Sequence, residues 1–314
     1  MKAIRMASRA SKLALIQSNH IRDLLQNLCR DVEISIVEVS TKGDRDKSDF
    51  LYKSKLQGLF TSEVEKALLD GKADMAVHSL KDLPTSGTAG LVIAAMPKRE
   101  VVADALVASK HVAALGDLPP HATIGTSSLR RIAQLRHFRS DLKCVPLRGN
   151  VETRVSKVTA GQVDAAVVAC AGLNRLGLTD RISAVLPAEQ FLTSPGQGAL
   201  AVQVRTEDTE LFGLVSQLDD EPTRIATQAE RCVLAAMHGG CSIPLGAYAR
   251  IVGDRLTIDA MIADVEGKNL IKRSLSGPVG ESKACAEKLA EELLEAGGKE
   301  ILEQIRNNQS RSTC

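Results

Sequence analysis

The sequence predicts an α/β protein built from two similar halves, followed by a small α+β unit. Three observations carry that expectation. Strand-like and helix-like segments alternate through the first two thirds of the chain, as in a largely parallel sheet covered by helices. The stretch "GKADMAVHSL" (71–80) is echoed by "GQVDAAVVAC" (161–170), each after a helix-like segment. The echo is short enough to arise by chance; as a repeat, it places a ligand between two similar halves. From about residue 220 the pattern changes to one helix, three short strands joined by tight turns, and a closing helix. That pattern gives a three-stranded antiparallel sheet with helices on one face.

The elements follow in order. Residues 11–28 set Leu13, Ile16 or Gln17, Ile21, Leu24 and Leu28 at helical spacing, which gives one buried stripe. "VEISIVEV" (32–39) alternates as a strand, and "TKGD" turns. "TSEVEKALLDG" opens with Ser62 and Glu65 in capping-box spacing and stops at Gly71. "ADMAVHSL" and "LVIAAM" have the composition of buried strands. Residues 222–237 are helical in pattern. Strands at 245–252, 255–265 and 269–277 are joined by turns at Gly253–Asp254 and Glu266–Gly267, and a helix spans 281–297.

Composition narrows the function. A chain of 314 residues suggests two or three domains. Aromatics are scarce, with no Trp, two Tyr and five Phe, which counts against stacking of single-stranded nucleic acid. The net charge is only +2, so any preference for anions must come from local clustering. The seven cysteines are odd in number, irregularly spaced and without C-x-x-C, against a disulfide framework or a structural zinc site. The amino terminus lacks the apolar core of a signal peptide, and no apolar run is long enough for a membrane span. The expected location is the cytoplasm, with no metal, nucleic-acid or membrane partner.

The densest chemical signal is arginine. Residues 125–154 hold Arg130, Arg131, Arg136, Arg139, Arg148 and Arg154 against only Asp141 and Glu152. In "GTSSLRR", Thr126, Ser127 and Ser128 precede a helix start, where hydroxyls and free N–H groups suit an anion. In "LRGN", Arg148 precedes Gly149, and Asn150 caps the next helix. Arg136 and Arg139 are expected on a solvated basic face. No phosphate-cradling G-x-x-x-x-G-K occurs, so carboxylates are the expected anions. "HSLKDLPT" ends a buried strand with Lys81 and Asp82, where such sheets place reactive groups. Asp82 suits an acid, a base or an electrostatic stabiliser, and equally a turn with a surface ion pair. "HGGCSIP" clears space around Cys241, a candidate nucleophile or attachment point, whereas the other cysteines are expected as small buried hydrophobes. His238 lies three residues before Cys241, so a Cys–His hydrolase can be imagined, although the intervening glycines do not fix an imidazole near the sulfur.

"SRASKLALIQ", "GLFTSEVEKALLDGKADMAVHSLKDLP", "IGTSSLRRIAQL", "LRGNVETR", "AGLNRLGL", "SPGQGAL", "AER" and "GGCSIP" occur in the order found in porphobilinogen deaminases (hydroxymethylbilane synthases), and the chain resembles that family over nearly its whole length. The resemblance implies two periplasmic-binding-protein-like α/β domains, 1–99 with about 195–218 and 100–194, and a small α+β domain, 219–314. It implies a transferase of haem biosynthesis that adds four porphobilinogen molecules to a dipyrromethane cofactor held as a thioether on Cys241. Hydrolysis then releases hydroxymethylbilane, which passes to uroporphyrinogen III synthase. Asp82 matches the family's catalytic aspartate. Arg9, Ser11, Ser79, Lys81, Thr126, Ser127, Ser128, Arg130, Arg131, Arg148, Arg154 and Arg175 match positions that hold the acetate and propionate groups of cofactor and substrate. Lys53, Gln57 and Phe60 fall in the active-site loop, and the enzyme is expected to be a monomer.

The sequence departs from the family's pattern at Gln57, where a lysine is usual, at Val101, Val102 and Ala103, and at His238, where a glutamate is usual. These positions bear on the loop over the cleft, on packing near the domain hinge and on pH behaviour beside Cys241. The rival expectation is a non-catalytic binding module for a small carboxylated ligand. Cys241 and Asp82 discriminate, since a binder needs neither a tethered primer nor a carboxylate among arginines.

Overall fold

The structure, a computed structural model, describes residues 3–41, 61–110, 112–237 and 243–311. From the amino end, β1 (Ile4–Arg9), α1 (Lys12–Leu28), β2 (Ile34–Val39), α2 (Ser62–Leu69), β3 (Met75–Ser79) and β4 (Leu91–Ala95) follow in turn. Next come β5 (Asp104–Ala108), β6 (Thr123–Gly125), α3 (Leu129–Phe138), β7 (Lys143–Val145), α4 (Val151–Thr159), β8 (Ala165–Ala169), α5 (Cys170–Arg175) and β9 (Ala184–Leu186). The chain continues through β10 (Leu200–Arg205), α6 (Thr209–Val215), α7 (Glu221–Ala236), β11 (Leu245–Val252), β12 (Arg255–Ala263), β13 (Leu270–Pro278), α8 (Ser282–Leu293) and α9 (Lys299–Arg311).

Two five-stranded sheets repeat one design. The first has the order β2-β1-β3-β10-β4 and the second β7-β6-β8-β5-β9. β1 pairs in parallel with β2 and β3, and β6 with β7 and β8. β10 runs antiparallel to β3 and β4, as β5 does to β8 and β9. The echoed segments therefore become β3 and β8, the central strands. Both sheets are mixed rather than parallel throughout, because the chain crosses between halves after β4 and after β9. Each crossing delivers a strand from the far side, and that strand enters reversed. Local periodicity carries no trace of such a crossing.

Ser11 caps α1, its hydroxyl accepting from Ala14 N at 3.3 Å. The stripe that α1 buries is Ala14, Gln17, Ser18, Ile21 and Leu25, while Leu28 is exposed. Ile21 and Leu25 pack with Ile4, Met6, Met75 and Val77. The expected capping box at Ser62 and Glu65 does not form, since Thr61 precedes the helix without a side-chain cap. Glu65 turns inward instead and accepts from Thr88 Oγ1 at 2.9 Å and Gln203 Nε2 at 3.0 Å. Gln203 and Thr88 lie far along the sequence, so a local motif gives way to a buried tertiary bond.

The last unit is the antiparallel meander β11-β12-β13. Val233 and Met237 of the α7 segment, Leu289 and Leu293 of α8, and Ile301 and Ile305 of α9 pack on Ile258 and Ile262. Each such side chain contributes about 1.5–3 kcal/mol through burial. The helix expected over 281–297 ends at Leu293, and Gly297 breaks it with φ of +113°. α9 follows that break. The turn between β12 and β13 sits hard on α3: a Cβ on Gly267 would lie 2.5 Å from Ala133 O.

Candidate active site

β3 ends in a single 3-10 turn, Leu80–Asp82, closed by Leu83 N donating to Leu80 O at 3.1 Å. Leu80 is fully buried and its N–H donates to Ala199 O at 3.0 Å, which fixes the turn to the segment before β10. The turn places half-buried Lys81 and Asp82 at the carboxyl end of the central strand. Lys81 Nζ approaches Gln197 Oε1 at 3.5 Å. Burial lowers Lys81 to about 8; Asp82 and Asp104 oppose that shift, and Arg131 and Arg130 add to it.

The second half meets this turn with cations. Ser128 precedes α3 in extended backbone, and its hydroxyl makes no cap bond, unlike the Asn150 amide that caps α4 through Thr153 N at 2.8 Å. Thr126 and Ser127 are buried; Ser127 Oγ bonds the backbone of Leu147 as donor and acceptor, both at 3.2 Å. Arg130 and Arg131 are buried and share Asp104, which is itself fully buried at the start of β5. Arg131 Nη2 donates to Asp104 Oδ1 at 2.6 Å, and Arg130 Nη2 to Oδ2 at 2.9 Å. Arg130 Nη1 also reaches Leu192 O at 2.6 Å, and Arg131 Nη1 reaches Val167 O at 2.9 Å. Burial alone would raise the Asp104 carboxyl, but the two guanidiniums hold it far below the usual carboxylate range. Arg130 Nε is buried without a hydrogen-bond partner among the described residues.

Arg154 donates from Nε to Gly149 O at 2.9 Å, where φ of +110° suits the glycine. Burial pushes Arg154 down to about 10, Arg131 and Arg148 add repulsion, and Asp82 opposes it. These mutual influences join Lys81 and Asp82 of the first half with Arg130, Arg131, Arg148 and Arg154 of the second. The cations of this cluster outnumber its carboxylates.

Four other expected residues lie to the side. Arg9 ends β1 and acts on His78, which burial above all, with the Arg9 charge adding, lowers to about 4. Ser11 caps α1, and Ser79 Oγ accepts from Gln17 Nε2 at 3.1 Å. Arg175 donates to Gly198 O at 2.8 Å; burial lowers its pKa from the usual arginine value, and Glu100 opposes that shift. Cys241, His238, Lys53, Gln57 and Phe60 lie outside the described residues.

The remaining two arginines of the basic stretch are not a solvated face. Arg136 donates to Val265 O at 2.9 Å, tying α3 to the last unit. Arg139 grips Asp141 with two bonds, 2.7 and 2.8 Å, and also reaches Gly116 O at 3.0 Å. The Val265 and Gly116 carbonyls come from distant segments, which composition cannot reveal, whereas Asp141 lies two residues from Arg139.

Sequence reasoning missed a buried hub. Glu230 is fully buried on α7 and takes Arg99 through both oxygens at 2.8 and 2.9 Å. It also accepts from Gly196 N at 2.7 Å and Ala249 N at 2.9 Å. Arg99 Nε donates to Gln197 O at 2.8 Å, and Gln197 Nε2 donates to Val102 O at 2.7 Å and Asp104 Oδ1 at 2.9 Å. One chain of polar contacts thus links the last unit, both crossings and the arginine pair. "AER" and "SPGQG" were the available signals, but nothing local in them names the partners.

Residues 4–212 match the family model described as porphobilinogen deaminase, dipyromethane cofactor binding domain, and residues 224–295 match that for the porphobilinogen deaminase C-terminal domain. A porphobilinogen deaminase from Maridesulfovibrio salexigens is 44% identical over 97% of this chain and 99% of that protein. One from Gloeobacter violaceus is 42% identical over 97% of this chain and 94% of that protein. Among solved structures, the second substrate binding domain of a putative amino acid ABC transporter from Streptococcus pneumoniae aligns with a TM-score of 0.44 at 14% identity, over 69% of this chain and 91% of that one. The fold class rests on the strand order and directions given above.

Proposed function

The chain belongs to the porphobilinogen deaminase family, and from that premise we infer that its cleft is where porphobilinogen is deaminated and joined head to tail. It is a transferase of tetrapyrrole biosynthesis that yields the linear tetrapyrrole hydroxymethylbilane. The dipyrromethane group, when bound, supplies the free pyrrole α-carbon that is extended. The residues present fit such a group. Its acid side chains need poorly solvated cations, and burial has already made the charged states of Arg130 and Arg154 costly. A carboxylate beside them offsets that cost.

Asp82 acts on the reacting ring. Its carboxylate accepts hydrogen bonds from pyrrole N–H groups and stabilises the cation that forms as ammonia leaves. Lys81, with its proton loosely held, balances Asp82 and receives a substrate carboxylate. Arg131, Arg148 and Arg154 take further acetate and propionate groups, with Thr126, Ser127, Ser128 and Arg130 at the same wall. Arg9, Ser11, Ser79 and Arg175 extend the carboxylate-binding surface. Cys241 is the attachment residue, and Lys53, Gln57 and Phe60 belong to the loop over the cleft. The division into 1–99 with about 195–218, 100–194 and 219–314 is supported by the return of β10 to the first sheet. The enzyme acts as a cytoplasmic monomer, and its product passes to uroporphyrinogen III synthase.

The observation that carries this reading is a carboxylate, Asp82, in the turn that ends β3, whose charge acts on both Lys81 and Arg154. Intact mass spectrometry tests the tether. Protein made in cells that synthesise porphobilinogen should exceed its polypeptide mass by one dipyrromethane unit, and Cys241→Ser should lose the excess. A bare polypeptide mass for the unmutated chain would return the account to a binding module.

A further inference from the structure

We propose that Arg231 is a positioning residue for the reaction, holding the turn that carries Asp82 from the neighbouring helix α7. The proposal rests on the reading of Asp82 given above. Arg231 Nη1 donates to Leu83 O at 2.9 Å and Leu80 O at 3.3 Å, and Nη2 donates to Pro84 O at 2.7 Å. These carbonyls bracket Lys81 and Asp82 on both sides. The single internal hydrogen bond of the turn uses Leu80 O, and Arg231 supplies the donors for the Leu83 and Pro84 carbonyls that follow it. A planar guanidinium fork meets several carbonyls at once, which an ammonium cannot copy.

Arg231 has no ion-pair partner among the described residues, and burial alone lowers it, with no carboxylate acting to raise it. The adjacent Glu230 is not available, since both its oxygens are engaged by Arg99, Gly196 N and Ala249 N. A guanidinium placed this way is committed to the turn. Consecutive residues of α7 thus grip two parts of the cleft: Glu230 holds the Arg99 and Gly196 crossings, and Arg231 holds the catalytic turn. The turn is otherwise pinned by Leu80 against Gly196, where a Cβ would lie 3.0 Å from Leu80 Cγ. Loss of the fork leaves that apolar contact, the Leu80 N–H bond to Ala199 O and the internal bond of the turn to place Asp82. Misplacement of a reacting group by about 1 Å can cost as much as 100-fold in rate.

The test uses the full chain carrying its primer, with wild type, Asp82→Asn, Asp82→Glu, Arg231→Lys and the double variant Asp82→Glu/Arg231→Lys measured together. Arg231→Lys should keep the mass excess, the thermal midpoint and KM within twofold, while kcat falls at least tenfold. In the double variant the two losses should not multiply, because residues acting as one unit are non-additive. Millimolar guanidinium should restore part of kcat to Arg231→Ala. A folded Arg231→Lys with kcat within twofold of wild type overturns the proposal. So do losses that multiply with Asp82→Glu, or Arg231 variants that lose the mass excess and melt early, which would assign the residue to folding alone. Near-normal turnover by Asp82→Asn would instead overturn the reading beneath it, whatever Arg231→Lys does.

Discussion

In the first half the central strand β3 ends in a turn that presents Lys81 and Asp82, whereas in the second half its counterpart β8 runs directly into α5. Both strands bury four residues and half-bury the fifth, and both sit at the centre of the same strand order. The two exits diverge. After β8 come Cys170, Ala171 and Gly172, all buried, and a Cβ on Gly172 would lie 3.2 Å from Val151 Cγ2, so a side chain there would need Val151 to give way. The Cys170 thiol is pushed up to about 11 by burial, with the Asp104 charge adding, so it stays protonated and inert. The second half instead delivers its ligands from the ends of β6 and β7. The repeated framework brings both central strands to matching ends, and the few residues after each decide whether that end presents charged side chains or small buried ones.

Breaking the cationic half at its centre should have the largest effect on stability. Asp104→Ala leaves Arg130 and Arg131 buried without their shared carboxylate and should cost about 3–5 kcal/mol, measured by denaturant unfolding. A loss below about 1 kcal/mol would mean water reaches the pair. A titration sharpens the other side. His78 is lowered to about 4, chiefly by burial, from the ordinary 6.5. The unfolded chain then binds the proton more readily, so the His78 contribution is fully present above about pH 6.5 and is lost as pH falls toward 4. His78→Leu should flatten the fall in unfolding free energy across that window, by up to about 3 kcal/mol. An unchanged slope would remove His78 from the acid sensitivity of the first half.

Arg154→Gln keeps the wall but removes one guanidinium. KM for porphobilinogen should rise about tenfold with kcat changed less, the size of one weak charge-assisted hydrogen bond. Equal falls in kcat and kcat/KM would place Arg154 in the chemical step instead. The smallest effect belongs to the ion pair that bridges the halves, Lys12 with Glu152 at 3.1 Å, with Lys12 64% exposed. Lys12→Ala should change stability by less than about 1 kcal/mol, and that difference should vanish at high salt. A larger or salt-independent loss would show that the halves depend on this contact.

What the sequence made legible was local. The turn after β3, the Asn150 cap of α4 and the three strands of the last unit each depend on neighbours within a few residues. Gly297 in "AGG" is a local stop signal, and the expected helix of 281–297 ends on the residue where the structure breaks. Arg139 with Asp141 was equally local and could have been found. The rest depends on sheet order. Asp104 meets Arg130 and Arg131 only because β5 inserts beside β8, and Glu230 meets Arg99 only because α7 packs across the crossing. Buried charges require partners, but sequence spacing does not say which residues those partners are.

The division of labour between the halves is tested most directly by steady-state turnover of Asp82→Asn on protein that carries its primer. Asparagine keeps the size and shape of the side chain but removes the charge and turns one acceptor oxygen into an NH2 donor. The account predicts an unchanged thermal midpoint, KM within a few-fold of wild type, and kcat lower by about 100-fold or more. Turnover within a few-fold of wild type would contradict it, and would show that the carboxylate after β3 is not where charge develops.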